Sequence, residues 1–129
     1  TELLAAALLD MELHNLTDTE NLNVVAFEKE TMDKLGLIPE IAPRYRATYF
    51  SHIIGGYAAG YYSYLWAEVL DTDAFEAFKE HGVFDKNTAD SFRKNILEKG
   101  GTEDPMTLYR GFRGADPSLE PLLKNRGLK

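Results

Sequence analysis

The sequence predicts an all-α protein, and three observations support this. Apolar residues recur at three- and four-residue spacing in almost every periodic segment, which is the spacing of one helix face. Glycine and proline fall between those segments, where helices begin and end. No internal repeat or low-complexity segment interrupts the pattern. We therefore expect residues 1–129 to form one largely helical piece of structure.

Two helices are predicted in the N-terminal third. The first covers Leu3–Leu13, with Thr1 positioned to cap it and Asp10 among its polar positions. The second covers Asn23–Leu35 and ends at Gly36. Its inward positions are predicted to be Val24, Phe27 and Leu35, and its outward positions Glu28, Lys29, Glu30 and Lys34.

The middle of the chain contains one ambiguous stretch and one aromatic helix. Pro39 and Pro43 force an extended backbone, and residues 44–54 are compatible with either a short strand or a turn of helix. Gly55-Gly56 breaks whatever precedes it. An aromatic helix is predicted from Tyr57 to about Leu70, and residues 74–81 either continue it or start another.

Three more helices are predicted in the C-terminal third. Residues 86–99 are amphipathic through Ala89, Phe92, Ile96 and Leu97 and end at Gly100-Gly101. The next begins around Thr102–Pro105, where acidic residues precede a proline just inside the helix. A last short helix covers Ser118–Lys124.

Composition excludes several classes of protein. The net charge of −7 argues against nucleic acid as a partner, because phosphate binding requires a basic surface, and against an anionic membrane surface. No apolar run approaches the length of a membrane span. With no cysteine there are no disulfides and no thiolate metal site. We expect a reducing compartment, the cytoplasm, with the periplasm as the alternative.

The segment that carries chemistry runs from His52 to Trp66. Paired glycines, Gly55 and Gly56, are typical of places where the backbone approaches another group closely. On a helix, Tyr57, Tyr61 and Tyr64 would share one face, and three phenols beside a histidine suit stabilisation of a developing oxyanion. The alternative is an aromatic core stripe whose hydroxyls bond to the backbone.

The same segment resembles a known family of peptidases. Residues 49–70 are similar to the hallmark stretch downstream of the zinc site in thimet oligopeptidase, oligopeptidase A and peptidyl-dipeptidase, and they read YFSHIIGGYAAGYYSYLWAEVL. Residues 4–11, 43–46, 100–105 and 112–114 are similar to other segments of that family. The likeness covers nearly the whole chain and implies the C-terminal portion of the catalytic domain.

The resemblance implies a fold and a set of site residues. The fold is a helical, two-lobed zinc peptidase with a channel, whose metal is held by a His-Glu-x-x-His helix and a downstream Glu. This chain has no such motif, so zinc is expected in the full-length parent and none in this chain. The residues implied to stabilise the tetrahedral intermediate or bind the substrate are His52, Tyr57 and Tyr64, with Gly55, Gly56 and Tyr61 beside them.

Three interpretations stay open from the sequence. The chain is a piece of a zinc peptidase that is inactive alone, a stand-alone helical module that binds peptides without cutting them, or a purely structural segment. Short peptides and the missing N-terminal part of the same peptidase are the expected partners, with self-association through exposed apolar faces. Arg44 and Arg46 are candidates for a substrate carboxylate, although exposed arginines are commonly only surface charge. Dipeptide release and internal cleavage are not distinguished.

Overall fold

The computed structural model describes all 129 residues, and the fold is helical without strands, as predicted. Six α-helices follow one another along the chain: α1 Glu2–His14, α2 Val24–Lys34, α3 Ser63–His81, α4 Lys86–Phe92, α5 Pro105–Arg113 and α6 Glu120–Asn125. Two 3₁₀ helices, Ala47–Tyr49 and Ser51–Ile54, precede α3, and a π-helical turn, Arg93–Leu97, extends α4. The chain divides into two compact units, Thr1–Leu65 and Trp66–Lys129. No helix has both the length and the apolar character that a membrane crossing requires.

Local capping signals account for several helix ends. The side chain of Asn23 accepts a hydrogen bond from the Ala26 N–H at 3.1 Å, so α2 begins one residue later than predicted. Asp104 accepts from the Thr107 N–H at 2.8 Å, with Pro105 in the first turn of α5. Gly114 ends α5 in the left-handed conformation at φ 78°. Thr1 occupies the cap position of α1 but makes no side-chain bond there.

The core of the first unit forms on both sides of α1. On one side Ala6 and Ala7 pack against Phe50, Ile53 and Tyr61. On the other, the buried cluster is Ala5, Leu9 and Met32. The alanines of α1 have short side chains, so neighbouring segments can approach its backbone closely on both sides.

Two burial predictions for α2 were wrong. Glu28, predicted to face outward, is buried, and Leu35, predicted to face inward, is exposed. One oxygen of Glu28 accepts the Ala47 N–H at 2.6 Å, and the other lies 2.6 Å from Arg46 Nε. The carboxylate therefore holds the ambiguous stretch after Pro43, which forms two 3₁₀ turns rather than a strand.

The aromatic helix predicted from Tyr57 starts six residues later, at Ser63. The Tyr57 N–H bonds to the His52 carbonyl five residues earlier, and from Ala58 to Leu65 the bonded amides make i to i−3 turns or bonds to a side chain instead of helical i to i−4 bonds. The N–H groups of Ala59 and Tyr61 donate to the carboxylate of Asp10, and Ala59 has a positive φ of 52°. For these two amides, the carboxylate of Asp10 takes the place of the backbone carbonyl that would accept the hydrogen bond in a helix. Residues 74–81 continue α3 without a break.

The second unit is built around three phenylalanines. Phe78 of α3, Phe92 of α4 and Phe112 of α5 lie with ring centroids 5.1 to 6.4 Å apart. Ala89 and Leu97, both predicted on the apolar face of a helix over residues 86–99, are exposed. The last helix begins at Glu120 rather than Ser118. This core positions α3 and α5 against each other, and Phe92 is its member that the sequence analysis placed on an apolar face.

Candidate functional site

Six aromatic side chains of the first unit form a continuous cluster. The rings of Tyr57 and Tyr64 stack at a centroid distance of 5.2 Å and an angle of 25°, and the ring of His52 lies 6.0 Å from Tyr57 and 6.4 Å from Tyr64. The cluster continues inward through Tyr61, Tyr45 and Phe50. The three residues that the sequence predicted to act on the substrate are therefore neighbours, although they do not share a helix face.

The phenols of Tyr57 and Tyr64 lie at the accessible side of this aromatic cluster. Their side chains are 40% and 39% exposed. The pKa of Tyr64 is raised, first by side-chain hydrogen bonding with Tyr57, and then by burial and by the neighbouring phenols. A phenol whose pKa is at or above its ordinary value of about 10 is protonated at neutral pH, so the Tyr64 hydroxyl can donate a hydrogen bond to an anionic oxygen.

His52 occupies the centre of the aromatic cluster. Its Nδ1 atom is buried and has no hydrogen-bond partner within the chain. Buried ring nitrogens are almost always bonded, and an exception calls for a ligand, a water or a functional explanation. The ring is packed on Tyr45 at 4.9 Å and on the edge of Tyr61 at 5.3 Å, so aromatic contacts alone determine its orientation.

Tyr61 lies deeper than the other candidate tyrosines. Only 3% of it is exposed, and its ring packs edge-on against Phe50 at 4.9 Å. Burial raises the pKa of its phenol, the neighbouring Tyr45 adds to the rise, and the charge of Arg44 opposes it. The structure thus places Tyr61 in the hydrophobic core of the first unit, and its role in substrate binding stays a prediction.

Asp10 is the residue that the sequence reasoning missed. It belongs to α1 and is fully buried. Its two oxygens accept the N–H groups of Ala59 at 3.0 Å and Tyr61 at 2.9 Å, and His14 Nδ1 lies 2.9 Å from one of them. The sequence offered one signal for Asp10: a charged residue within a mostly apolar helix usually has a specific bonding partner.

Gly55 and Gly56 have room around them. No protein atom lies within 4 Å of where a Cβ would stand at either position, and neither backbone is left-handed. Gly55 follows directly on the second 3₁₀ helix and ends it. Contacts within this chain therefore give no steric reason for the pair, and the space that they leave is open to a ligand.

The two candidate arginines differ in their surroundings. The Nε atom of Arg46 lies 2.6 Å from buried Glu28, so its guanidinium is engaged within the protein. Arg44 is exposed, and its charge is felt by the phenol of Tyr61. Of the two, Arg44 is the cation that an incoming carboxylate can reach near the aromatic cluster.

The residues of this chain do not fit a zinc site. No group of three or more His, Asp or Glu side chains is placed to hold a metal ion. His14 lies 2.9 Å from the carbonyl of Asp10, and His81 lies 2.9 Å from the carbonyl of Ala77. Each of these rings is bonded to the last turn of its own helix, which is a structural arrangement.

The second unit holds a separate apolar cleft of about 710 Å³. Its lining is almost entirely hydrophobic and includes Trp66, Phe75, Phe78, Phe92, Ile96 and Met106. None of the predicted site residues lines it. Its walls offer few polar groups that could orient a reacting molecule, in contrast with the phenols of the aromatic cluster.

Comparison with known proteins gives consistent matches along the whole chain. The family described as peptidase family M3 matches residues 1–128. A dipeptidyl carboxypeptidase of Escherichia coli (strain K12) is 45% identical, covering 99% of this chain and 19% of the relative. Oligopeptidase A of the same strain is 57% identical over 62% of this chain and 12% of the relative. A probable cytosolic oligopeptidase A of Arabidopsis thaliana is 42% identical over 95% of this chain and 18% of the relative. The chain spans about a fifth of the length of such relatives.

Proposed function

The chain belongs to peptidase family M3, as its resemblance to these peptidases predicted, and from that premise we propose that it supplies part of the active site of a zinc-dependent peptidase acting on short peptides. In this proposal Tyr64 and Tyr57 donate hydrogen bonds to the oxygen of the tetrahedral intermediate, and His52 contacts the substrate beside them. The observation that carries the proposal is the contiguity of these three side chains, with two phenols partly exposed.

The chemistry of the phenols supports this assignment. Attack on a peptide carbonyl moves negative charge onto the carbonyl oxygen, and preorganised donors aimed at that oxygen lower the barrier. Tyr57 and Tyr64 are held by stacking, and the Tyr64 phenol carries its proton at neutral pH. Stacked rings lose little side-chain freedom on binding, because most of it is already lost in the free protein.

The proposed substrate class, short peptides, rests on the names of the relatives and on the residues beside the aromatic cluster. The relatives carry the names dipeptidyl carboxypeptidase and oligopeptidase A, and both imply peptides. If this protein recognises a free C-terminus, Arg44 is the residue we assign to the terminal carboxylate, since Arg46 is paired with Glu28. The open space beside Gly55 and Gly56 would then receive the peptide backbone.

The metal is assigned elsewhere in the protein. Peptidases of this family are generally zinc-dependent, and the histidines here do not form a ligand set. Zinc would therefore be held by residues outside these 129, and the isolated chain is expected to be inactive. Its own contribution would be to bind and orient the substrate and to stabilise developing charge.

Substitution of Tyr64 by Phe in the whole protein, as its gene encodes it, tests the proposal. If the hydroxyl donates to the oxyanion, Tyr64→Phe lowers kcat by roughly 10²–10³, with KM little changed. The ring remains, so stacking on Tyr57 and the melting temperature should hardly change.

The matched control is Tyr62→Phe. Tyr62 is an exposed neighbour without ring contacts to the aromatic cluster, so its hydroxyl should be dispensable. Equal kcat values for the wild type, Tyr62→Phe and Tyr64→Phe would overturn the oxyanion assignment. If peptides bind to the whole protein without being cleaved, the non-catalytic binding module becomes the better description.

A further inference from the structure

The buried carboxylate of Asp10 has only loop amides and one imidazole as partners. It is fully buried and has no lysine or arginine in ion-pair contact; its neighbours are the Ala59 N–H, the Tyr61 N–H and His14 Nδ1, all within 3.0 Å. A buried carboxylate requires bonding partners, because leaving it unpaired is unfavourable by several kcal/mol. Hydrogen bonds to an ionised group are also stronger than those between neutral groups. Asp10 and the loop from Gly55 to Tyr62 therefore hold each other in place.

The backbone at Ala59 shows that this loop is held against a local preference. Its φ of 52° lies in the left-handed region, which is unfavourable for an alanine by roughly 1 kcal/mol. Residues remain in such conformations when several surrounding contacts hold them there, and these residues are frequent at functional sites. Here the Ala59 N–H is bonded to Asp10 at 3.0 Å, so the carboxylate is the group that maintains the strained turn.

The two bonded amides lie between the two exposed tyrosines. Ala59 follows Tyr57 by two residues, and Tyr61 precedes Tyr64 by three. Two different oxygens of one carboxylate accept from them, which fixes the backbone between the two phenols in both position and direction. A shift of this turn would change the 5.2 Å stacking distance of Tyr57 and Tyr64 directly.

We propose that Asp10 is a positioning residue that sets the spacing of the Tyr57 and Tyr64 phenols by clamping the intervening turn, with His14 orienting its carboxylate. Its consequence for catalysis rests on the function proposed above, whereas the clamping itself does not. Helix α1 thus contributes to the site through a residue that is buried away from solvent.

The test compares Asp10→Asn with Glu12→Gln, an exposed carboxylate two residues further along α1, in the whole protein. Asparagine keeps the shape of the side chain but replaces one acceptor oxygen by a donor that opposes a loop N–H. We expect amide hydrogen exchange in peptides covering residues 57–62 to accelerate roughly tenfold or more. Peptides from α2 should be unaffected, and kcat should fall roughly tenfold to a hundredfold with KM little changed, because misplacement of catalytic groups acts mainly on the transition state.

Rescue at Ala59 separates positioning from general stability. Glycine adopts the left-handed backbone without strain, so Ala59→Gly added to Asp10→Asn should restore part of kcat. If Asp10→Asn does not fold, the double variant is compared with Ala59→Gly alone, and faster loop exchange in the double variant is expected. Equal exchange rates in that comparison or unchanged loop exchange in Asp10→Asn would overturn the clamp. A loss of kcat in Asp10→Asn that Ala59→Gly does not rescue at all would overturn the positioning role.

Activity distinguishes this proposal from the function on which it rests. If loop exchange accelerates and kcat is unchanged while Tyr64→Phe is impaired, the spacing set by Asp10 is irrelevant to catalysis and the positioning role is overturned. If loop exchange accelerates and neither Asp10→Asn nor Tyr64→Phe alters kcat, the clamp stands and the proposed function fails.

Discussion

Tyr109 in the second unit and the Tyr57–Tyr64 pair in the first unit differ in whether the phenol is bonded to a buried protein acceptor. Tyr109 in the second unit is buried, and its hydroxyl donates to Asp73 at 2.6 Å. Tyr57 and Tyr64 in the first unit are partly exposed, and their phenols interact with each other. Tyr109 has fixed protein acceptors for its proton, whereas the phenols of Tyr57 and Tyr64 remain within reach of an external acceptor.

The surroundings of Tyr109 include three charged side chains of the second unit. Asp73 also lies 3.5 Å from Arg113 Nε, and the guanidinium of Arg113 binds both oxygens of Glu80. The pKa of Tyr109 is raised far above its ordinary range, first by burial and then by its bond to Asp73. A phenol with these partners cannot leave them without loss of stability. The phenols of Tyr57 and Tyr64 are partly exposed and have no buried acceptor, so they are the ones that an external acceptor can reach.

The largest effect on stability is expected for Asp73→Ala. It removes the acceptor of Tyr109 and leaves Arg113 with one carboxylate partner instead of two, and breaking such buried pairs lowers the free energy of unfolding by about 3 kcal/mol. Urea denaturation of the 129-residue chain measures it, with exposed Asp71→Ala on the same helix as the control. Equal midpoints for the two variants would show that the network contributes nothing.

Tyr109→Phe should have a smaller effect of the same kind. It removes one hydrogen bond to a carboxylate and leaves the ring in place, so the free energy of unfolding should fall by about 2 kcal/mol. Tyr64→Phe in the same denaturation experiment should change it by less than about 0.5 kcal/mol, since Tyr64 is partly exposed and its hydroxyl has no buried acceptor. If Tyr64→Phe destabilises the chain as much as Tyr109→Phe, the distinction between the two tyrosines disappears.

Tyr57→Phe is expected to act on catalysis more mildly than Tyr64→Phe. Tyr57 belongs to the turn, whereas Tyr64 lies in the first turn of α3, so we expect the Tyr57 phenol to be the weaker of the two proposed donors to the oxyanion. In the whole protein kcat should fall roughly tenfold, which corresponds to about 1.4 kcal/mol. Steady-state kinetics together with a melting curve on the same sample measures both quantities. A larger loss for Tyr57→Phe than for Tyr64→Phe would exchange the two assignments.

The smallest effect is expected at the arginines. Arg44→Gln should raise KM about threefold for substrates with a free C-terminus and leave amidated peptides unaffected, since an exposed ion pair contributes less than about 1 kcal/mol. Arg46→Gln should leave KM unchanged and lower stability by about 1 kcal/mol, because Glu28 keeps the Ala47 N–H. Equal KM effects for both variants would remove the carboxylate assignment from Arg44.

The helices with strong end signals could be predicted from sequence to within a residue or two. Asn23 and Gly36 flank α2, and Asp104 with Pro105 begins α5, because capping is decided by groups three or four residues apart. The aromatic residues of the candidate site were also identified from their spacing and their family resemblance. Their proximity is confirmed by the ring distances, while their roles stay predictions.

Long-range contacts explain the sequence predictions that failed. Glu28 looked like a solvated position of α2, yet it is buried because Arg46 and the Ala47 N–H bond to it from 18 and 19 residues away. The segment after Tyr57 has helical spacing, yet its amides bond to Asp10, 49 and 51 residues away. Propensity is a weak prior, and a buried carboxylate that needs donors outweighs it.

The sequence by itself determined an all-α chain, most helix ends, the absence of a metal-binding motif and the aromatic residues of the candidate site. The tertiary structure alone decided that Tyr57 belongs to a turn, that Tyr61 is buried while Tyr57 and Tyr64 remain accessible, and that Asp10 holds the turn between them. The physical reason is the separation along the chain between the groups that interact. Capping and helical spacing depend on neighbours within one turn, whereas a buried charge takes its partners from whatever the folded chain brings within 3 Å.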